Sequence, residues 1–333
     1  MKIFTNWCPT PLRKALENYG VKIDVVKTSS ILHILSQYEA GCDLCYFARF
    51  APPLIDKDLF RIGKTGIPII YGFHAPLKVD YPVRPSHYLY NLVMPMQAMR
   101  AASISKKLHF LNLDDIKLIN HLDLATKSIY LPLGVDVNIF KIPVTKSERF
   151  TVIYASRASW NKGTDILVRL VIPYFTRKLP DIRIDIVSYG FLSHLYKGLK
   201  GMKNIRMIPF LPPIKFAEVL ASAHVLLFPS RYESFGLVVL EALACGTIPV
   251  AFNIRGFVRD ILSRDSIFKE FVVNYSRPER LALKVIELYK LWSKKPENFY
   301  SLVRRARNLA LKFSWKNVAQ VWLRAFKEVT EEC

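Results

Sequence analysis

PSRYESFGLVVLEALACGTIPVAF, residues 229–252, sets two glutamates, Glu233 and Glu241, eight positions apart across the start of one helix. The run ahead of it, HVLLFPS at 224–230, has the length and flanking turn residues of a buried parallel strand. A helix is expected to begin near Ser234, which suits an N-cap, and Gly236 in its first turn leaves no side chain between the amides and an approaching group. Unsatisfied amides and the helix dipole favour an anion at that end. Glu233 then sits at the mouth, and Glu241 lies about 12 Å further along at about 1.5 Å per residue. A diphosphate held at the helix start would leave sugar hydroxyls near the first carboxylate and ribose hydroxyls near the second. Spacing alone also fits an ordinary amphipathic helix with one exposed and one salt-bridged glutamate.

Working outward, apolar runs at 2–5, 21–26, 44–47, 67–73, 107–113 and 128–135 alternate with helix-like segments. A second series follows at 150–155, 183–189, 204–210, 224–229, 247–252 and 271–273. This alternation predicts parallel α/β sheets, and two series predict two Rossmann-like domains. The proline and polar residues of IPVTKSE mark a junction near Ile142–Ser147. With 333 residues and 51% apolar content, the chain is long enough for two cores.

No apolar stretch reaches the roughly 18–20 residues that span a bilayer, and MKIFTNWCPTPLRK opens like a first strand and turn. The expectation is a soluble, cytoplasmic protein. Five scattered cysteines argue against a disulfide scaffold, and the lone C-x-x-C of Cys42 and Cys45 is expected to pack beside a strand. The formal charge is +21, and residues 1–147 carry 18 basic and 11 acidic groups, so the excess is spread along the chain. No basic arm of the kind that binds nucleic acid is present. A diffuse positive surface suits anionic small molecules, a lipid-phosphate acceptor or the headgroups of an anionic membrane, and equally suits solubility.

Residues 149–171, RFTVIYASRASWNKGTDILVRLV, predict a strand to Ala155, a polar turn with Arg157 and Lys162, and a helix after Gly163. Two cations would then stand at a strand's carboxyl end, where open α/β sheets bind ligands. Asp56-Lys57-Asp58 spells D-x-D, but it lies away from these segments and reads as a surface turn or helix start, so no metal site is expected.

The 229–252 segment resembles the E-x7-E signature of retaining GT-B glycosyltransferases, the large family that contains sucrose synthase and many mannosyl- and glucosyltransferases. Its flanks match as well: Pro229-Ser230, Ser234-Phe235-Gly236, and Ala244 through Val250. The resemblance implies an N-terminal acceptor-side domain (1–147), a C-terminal nucleotide-sugar domain (148–312), and a terminal helix at about 313–333 crossing back onto the first. KFSWKNVAQVWLRAF, residues 312–326, is similar to that helix and places Phe313, Trp315, Val318, Val321, Trp322 and Phe326 at roughly helical spacing.

By the same resemblance Arg157 and Lys162 grip the donor diphosphate, with Ser156 where glycine is usual. Glu233 orients sugar hydroxyls, Glu241 orients the ribose, and the amides of Ser234, Phe235, Gly236 and Leu237 hold the phosphate. His74, closing IPIIYGFHAP, matches a histidine that faces the transferred sugar. NIRMIPFLPPIKFAEVLASA matches the strand and helix that touch the base, with Pro209 where glycine is common. NIRGFVRDIL matches a glycine loop with Asp260 replacing glutamate, and YLPLGVDVNIF a turn with Leu133 replacing asparagine. The clearest departure is Cys8-Pro9-Thr10-Pro11, which stands where relatives carry a glycine pair. Proline lacks the amide donor, and Thr10 offers a hydroxyl instead.

The implied reaction moves a hexose from a UDP- or GDP-hexose to an acceptor hydroxyl on a glycan, lipid or protein-linked group, with retention and without an obligatory metal or cofactor. A nucleotide-sugar epimerase, a sugar phosphorylase, or a sugar-nucleotide- or nucleic-acid-binding module without turnover are the alternatives.

Overall fold

The computed structural model of the chain describes residues 1–25, 42–49, 66–82, 84–199 and 201–331. The D-x-D at 56–58 lies outside the described residues. The chain forms two compact units, Met1–Gly134 with Trp315–Cys333, and Val135–Ser314.

In the first unit, β1 (Lys2–Thr5), β2 (Lys22–Val25), β3 (Leu44–Arg49), β4 (Ile69–Phe73), β5 (Lys107–Phe110) and β6 (Ser128–Tyr130) form one parallel sheet in the order β2-β1-β3-β4-β5-β6. Every residue of β4 is buried, as expected of a strand covered on both faces. The Asn6 side chain extends the ladder past β1, accepting from Ala48 N at 2.7 Å and donating to Ala48 O at 2.8 Å. α1 (Thr10–Glu17) follows, with Pro9 at its N-cap and Thr10 exposed in the first turn.

α2 (Pro85–Ala102) packs Met94, Ala98, Ala101 and Ala102 onto the Phe47, Tyr71, Phe73 and Phe110 face of the sheet, together with Ile119 of α3 (Leu113–Asn120). Asn112 caps α3 by accepting from Asp115 N at 2.8 Å. Cys42 and Cys45 are free thiols, 4.0 Å apart at the start of β3.

The second unit holds β7 (Thr151–Arg157), β8 (Arg183–Tyr189), β9 (Ile205–Ile208), β10 (Val225–Phe228), β11 (Ile248–Phe252) and β12 (Val272–Val273), all parallel, in the order β12-β11-β10-β7-β8-β9. The strand order reverses between β7 and β10, so the loops leaving those two strands flank the crevice where a doubly wound sheet receives ligands. α4 (Thr164–Ile166) continues through a π turn at Leu167–Val171 into Ile172–Thr176. Pro173 has no amide to donate back to this turn, which accounts for the departure from α geometry.

The segment expected as a junction is packed on this unit. Lys146 is buried and its ammonium donates to Ala221 O at 3.0 Å, Ala223 O at 2.6 Å and Thr247 Oγ1 at 3.3 Å. The unit therefore begins at Val135, ahead of Ile142–Ser147. α5 (Pro213–Ser222), α6 (Leu237–Ala244), α7 (Glu279–Lys294) and α8 (Pro296–Leu311) complete it.

The terminal helix, α9 (Trp315–Glu331), belongs to the first unit and buries Trp315, Val318, Trp322, Phe326 and Val329. Two residues of the expected apolar stripe fall elsewhere. Val321 is exposed, and Phe313 precedes the helix, its ring 5.1 Å from that of Phe257 in the second unit. Among the described residues, no helix is long and apolar enough to cross a membrane.

Candidate functional site

Two loops at the reversal point are fastened to each other backbone to backbone. Gly163, between β7 and α4, has φ +68, and a Cβ there would lie 2.0 Å from Pro229 O in the loop after β10. Only glycine permits this approach. Arg231 N donates to Asn161 O at 2.8 Å. The buried Arg231 guanidinium forms a two-pronged pair with Asp165, Nη1–Oδ1 and Nη2–Oδ2 both 2.7 Å, and also donates to Trp160 O at 2.5 Å and Tyr275 OH at 2.8 Å. Lys162 and Glu233, expected on opposite loops, meet directly: Nζ lies 2.5 Å from Oε1, with both side chains largely buried.

The helix after this turn starts later than expected. Gly236 has φ +88, a left-handed conformation that interrupts the helical path, so Gly236 and not Ser234 occupies the N-cap and α6 starts at Leu237. The Phe235 side chain is buried against Phe257, with ring centroids 5.6 Å apart, and its carbonyl accepts from Phe257 N. It shapes the turn from the core side, and only its backbone remains for a ligand. The amides of Gly236 and Leu237 have no backbone acceptor among the described residues.

A cavity of about 360 Å³ opens at the carboxyl ends of β7 and β8. Ser156 and Arg157 line it from β7, Val187 and Tyr189 from β8, Phe210 and Phe216 from the segment after β9, and Val238 and Glu241 from α6. Arg157 makes no ion pair among the described residues and stands exposed at the mouth. Glu241 has no cation or hydrogen-bond donor on its carboxylate among the described residues, and burial pushes its carboxyl up to about 7. Tyr189 and Phe210 are both exposed and meet edge to face, with centroids 5.5 Å apart and an interplanar angle of 82°. Of the expected donor-binding residues, Arg157 and Glu241 thus line the cavity. Lys162, Glu233, Ser234, Gly236 and Leu237 belong to the two fastened loops and the start of α6.

His74 lies in the first unit, directly after β4, and is buried. Its Nε2 is 2.7 Å from Tyr46 OH, which is 2.8 Å from Nδ1 of His109, whose Nε2 is 2.8 Å from Leu131 O. The Trp7 ring meets His74 edge to face at 4.2 Å. Burial, with His109 nearby, holds the His74 ring well below its usual pKa, so it is neutral at pH 7. Thr10 stands exposed at the first turn of α1 in the same unit.

Sequence reasoning missed Asp165, Arg231, Tyr189, Phe210, Tyr46 and His109. Arg231 falls inside the 229–252 signature, Tyr189 closes β8 and Phe210 comes two residues after β9, which were the available signals. Tyr46 and His109 are interior strand residues that pattern alone does not separate from core.

Two doubly wound parallel sheets, one with a cation, a half-buried carboxylate and aromatic rings at its reversal point, define an α/β protein of the GT-B architecture. Residues 136–305, about half of the chain, match glycosyl transferases group 1, and the chain belongs to that family. It is 28% identical over 215 residues to D-inositol 3-phosphate glycosyltransferase of Paenarthrobacter aurescens, a match covering 59% of this chain and 50% of that protein. The chain spans about half the length of the curated relatives it matches. Its fold matches sucrose-phosphate synthase from Thermosynechococcus elongatus with a TM-score of 0.78 at 14% identity, covering 100% of this chain and 99% of the other. It also matches Anabaena HepE, solved in complex with UDP and glucose, with a TM-score of 0.71 at 16% identity, covering 98% and 100%.

Proposed function

We propose that the protein is a glycosyltransferase that moves a hexose from a nucleoside diphosphate sugar to an acceptor hydroxyl with retention at the anomeric carbon. The second unit binds the donor in this reading, and the first serves the acceptor. The observation that carries it is the cavity at the sheet reversal, where Arg157 and Glu241, whose carboxylate has no partner among the described residues, face the same space as an exposed aromatic pair. Its volume suits a nucleoside. The base packs against Tyr189 and Phe210, and the ribose hydroxyls donate to Glu241. The diphosphate lies between Arg157 and the amides of Gly236 and Leu237, a helix start with a favourable dipole. The HepE complex supports UDP as the nucleotide portion.

As the bond from the anomeric carbon to the diphosphate breaks, negative charge grows on the leaving phosphate. Arg157 and Lys162 stabilise that charge more than they stabilise the intact donor, which lowers the barrier. Lys162 is paired with Glu233 before the donor arrives. Donor binding divides that pair, the ammonium turning to phosphate and the carboxylate to sugar hydroxyls. The acceptor attacks from the side of the departing phosphate, which takes the acceptor proton. His74 positions the transferred sugar, and Thr10 offers a hydroxyl on the acceptor side. Metal is not required, because side-chain cations and amides supply the positive charge.

A lipid-linked acceptor is favoured by α2, which leaves Tyr88, Leu89, Leu92, Met96 and Met99 exposed in a chain of net charge +21. Such a face suits peripheral contact with an anionic membrane.

The test is release of UDP or GDP from matching hexose donors in the presence of glycan and lipid-phosphate acceptors, followed by determination of the product's anomeric configuration. Acceptor-dependent release that falls at least a hundredfold in Glu233→Ala and Lys162→Ala supports the reading. Undiminished release in both variants, or an inverted product, overturns it.

A further inference from the structure

The first unit carries a pair of thiols that packing explains only in part. Cys45 is buried on β3, opposite Phe4 of β1 and Ile69 of β4, and belongs to the apolar cluster of that sheet. Cys42, three residues earlier, is half-buried and turns its sulfur back onto the strand: Sγ lies 4.0 Å from Cys45 Sγ and 3.1 Å from Leu44 O. The backbone beneath the pair is pinned from both sides. Asp43 N donates to Lys2 O at 2.9 Å, Lys2 N donates to the Asp43 carboxylate at 2.6 Å, and Cys45 N donates to Pro68 O at 3.0 Å. The two sulfurs thus face each other on a fixed frame. Bringing them to bonding distance takes about 2 Å of side-chain movement.

The protons make the two thiols unequal. A carbonyl oxygen only accepts, so the Cys42 S–H points to Leu44 O, and the contact between the sulfurs is a donation from Cys45 S–H to Cys42 Sγ. That donation also serves the ionised form, and the Cys45 thiol holds Cys42 below the usual thiol value. Cys45 moves the other way, raised by the same contact and by burial. Cys8 and Cys245 are pushed up to about 12 by burial. Among the described residues, Cys42 is therefore the cysteine that combines solvent access with a stabilised thiolate, the two conditions that thiol–disulfide exchange sets for the attacking group.

We propose that Cys42 and Cys45 are a reversible redox pair, in which Cys42 reacts with a low-molecular-weight disulfide and Cys45 resolves the product to an intramolecular disulfide. In the first step the Cys42 thiolate bonds to one sulfur of the reagent, and the other half leaves as a thiolate that takes up a proton. In the second, Cys45 gives up its proton, bonds to Cys42 Sγ and expels the remaining half as a second thiol. Two electrons pass from the protein pair to the reagent: one protein disulfide forms, and the reagent is reduced to two thiols. Excess dithiol reverses both steps. Neither step draws on the proposed sugar transfer.

The experiment exposes the reduced full chain to oxidised glutathione at pH 7, quenches samples with acid, alkylates the remaining thiols in denaturant with N-ethylmaleimide, and reads each cysteine by peptide mass spectrometry. Cys42 and Cys45 share one tryptic peptide, so an internal disulfide shows as the loss of two hydrogens with neither maleimide nor glutathione attached. Wild type is expected to give that peptide while the Cys8 and Cys245 peptides remain fully alkylated, and dithiothreitol is expected to restore it. Cys45→Ser should hold glutathione on Cys42, and Cys42→Ser should take glutathione on Cys45 more slowly by on the order of tenfold or more. The same reaction in denaturant is expected to lose the preference for Cys42 over Cys8 and Cys245. A wild-type peptide that carries two maleimides throughout, or that retains glutathione on Cys42, overturns the pair. Equal uptake by the two single variants overturns the assignment of roles, and the wild-type reading decides the pair even where a variant fails to fold.

Discussion

Replacing Asp165 by alanine leaves Arg231 as a buried guanidinium without its carboxylate. The pair is two-pronged at 2.7 Å on both arms, and the side chains are 6% and 13% exposed, so little solvent is available to take over. Removing one partner of a buried pair costs about 3–5 kcal/mol. Arg231 keeps its bonds to Trp160 O and Tyr275 OH, which places the expected loss near the lower end, about 3 kcal/mol. For a unit the size of Val135–Ser314, this lowers the melting temperature by roughly 6–12 °C.

The consequence extends to binding, because the same guanidinium ties the Trp160–Gly163 loop to the turn that carries Glu233. Freeing that loop dissolves the fixed geometry of Lys162, and nucleotide-sugar affinity falls although Asp165 is assigned no donor contact. Thermal melting by circular dichroism with a parallel calorimetric titration measures both effects. The double variant Asp165→Leu/Arg231→Met, which removes both charges, is expected to melt above Asp165→Ala. Melting of Asp165→Ala within about 2 °C of wild type, or a double variant no better than the single, refutes the reasoning.

Phe210→Ala removes one ring of the proposed base slot and is expected to weaken donor binding by roughly 1–3 kcal/mol without affecting folding, since Phe210 is exposed; equilibrium titration with a UDP-hexose checks this. Donor affinity is expected to rise with pH through about 7, because ribose hydroxyls favour ionised Glu241 and the donor diphosphate keeps its charge over this range. Below that point affinity falls toward about tenfold per pH unit, and Glu241→Gln flattens the profile. Folded Glu241 holds its proton more tightly than the unfolded chain does. Its contribution to stability therefore declines as pH rises from the ordinary carboxylate range through about 7, and Glu241→Gln removes that decline in denaturant titrations at pH 5 and 8. Leu92→Glu/Met96→Glu places acidic groups on the exposed face of α2 and is expected to abolish sedimentation with phosphatidylglycerol vesicles, leaving the melting temperature unchanged.

The twelve strands of the described residues were legible because parallel strands buried on both faces show as short continuous apolar runs, as in IIYGF at Ile69–Phe73 or VLLF at Val225–Phe228. Arg157 at the end of β7 was legible for a related reason: a cation placed just after such a run must stand at the sheet's carboxyl edge. Ser234 misled because a serine before an apolar helix suits an N-cap, while the left-handed backbone that Gly236 adopts two residues later shows only in three dimensions. The pairing of Arg231 with Asp165 spans 66 residues and depends on two loops approaching to within backbone contact at Gly163, a distance that no local pattern encodes.

The most direct test of the central claim, that the reversal point of the second sheet binds a nucleoside diphosphate sugar, is calorimetric titration of UDP-glucose and GDP-mannose into wild type and Arg157→Ala without added metal. The account predicts saturable one-to-one binding of one of the two donors by wild type and at least a tenfold loss in Arg157→Ala at unchanged melting temperature. Binding of neither donor, or equal affinity in the variant, would contradict it.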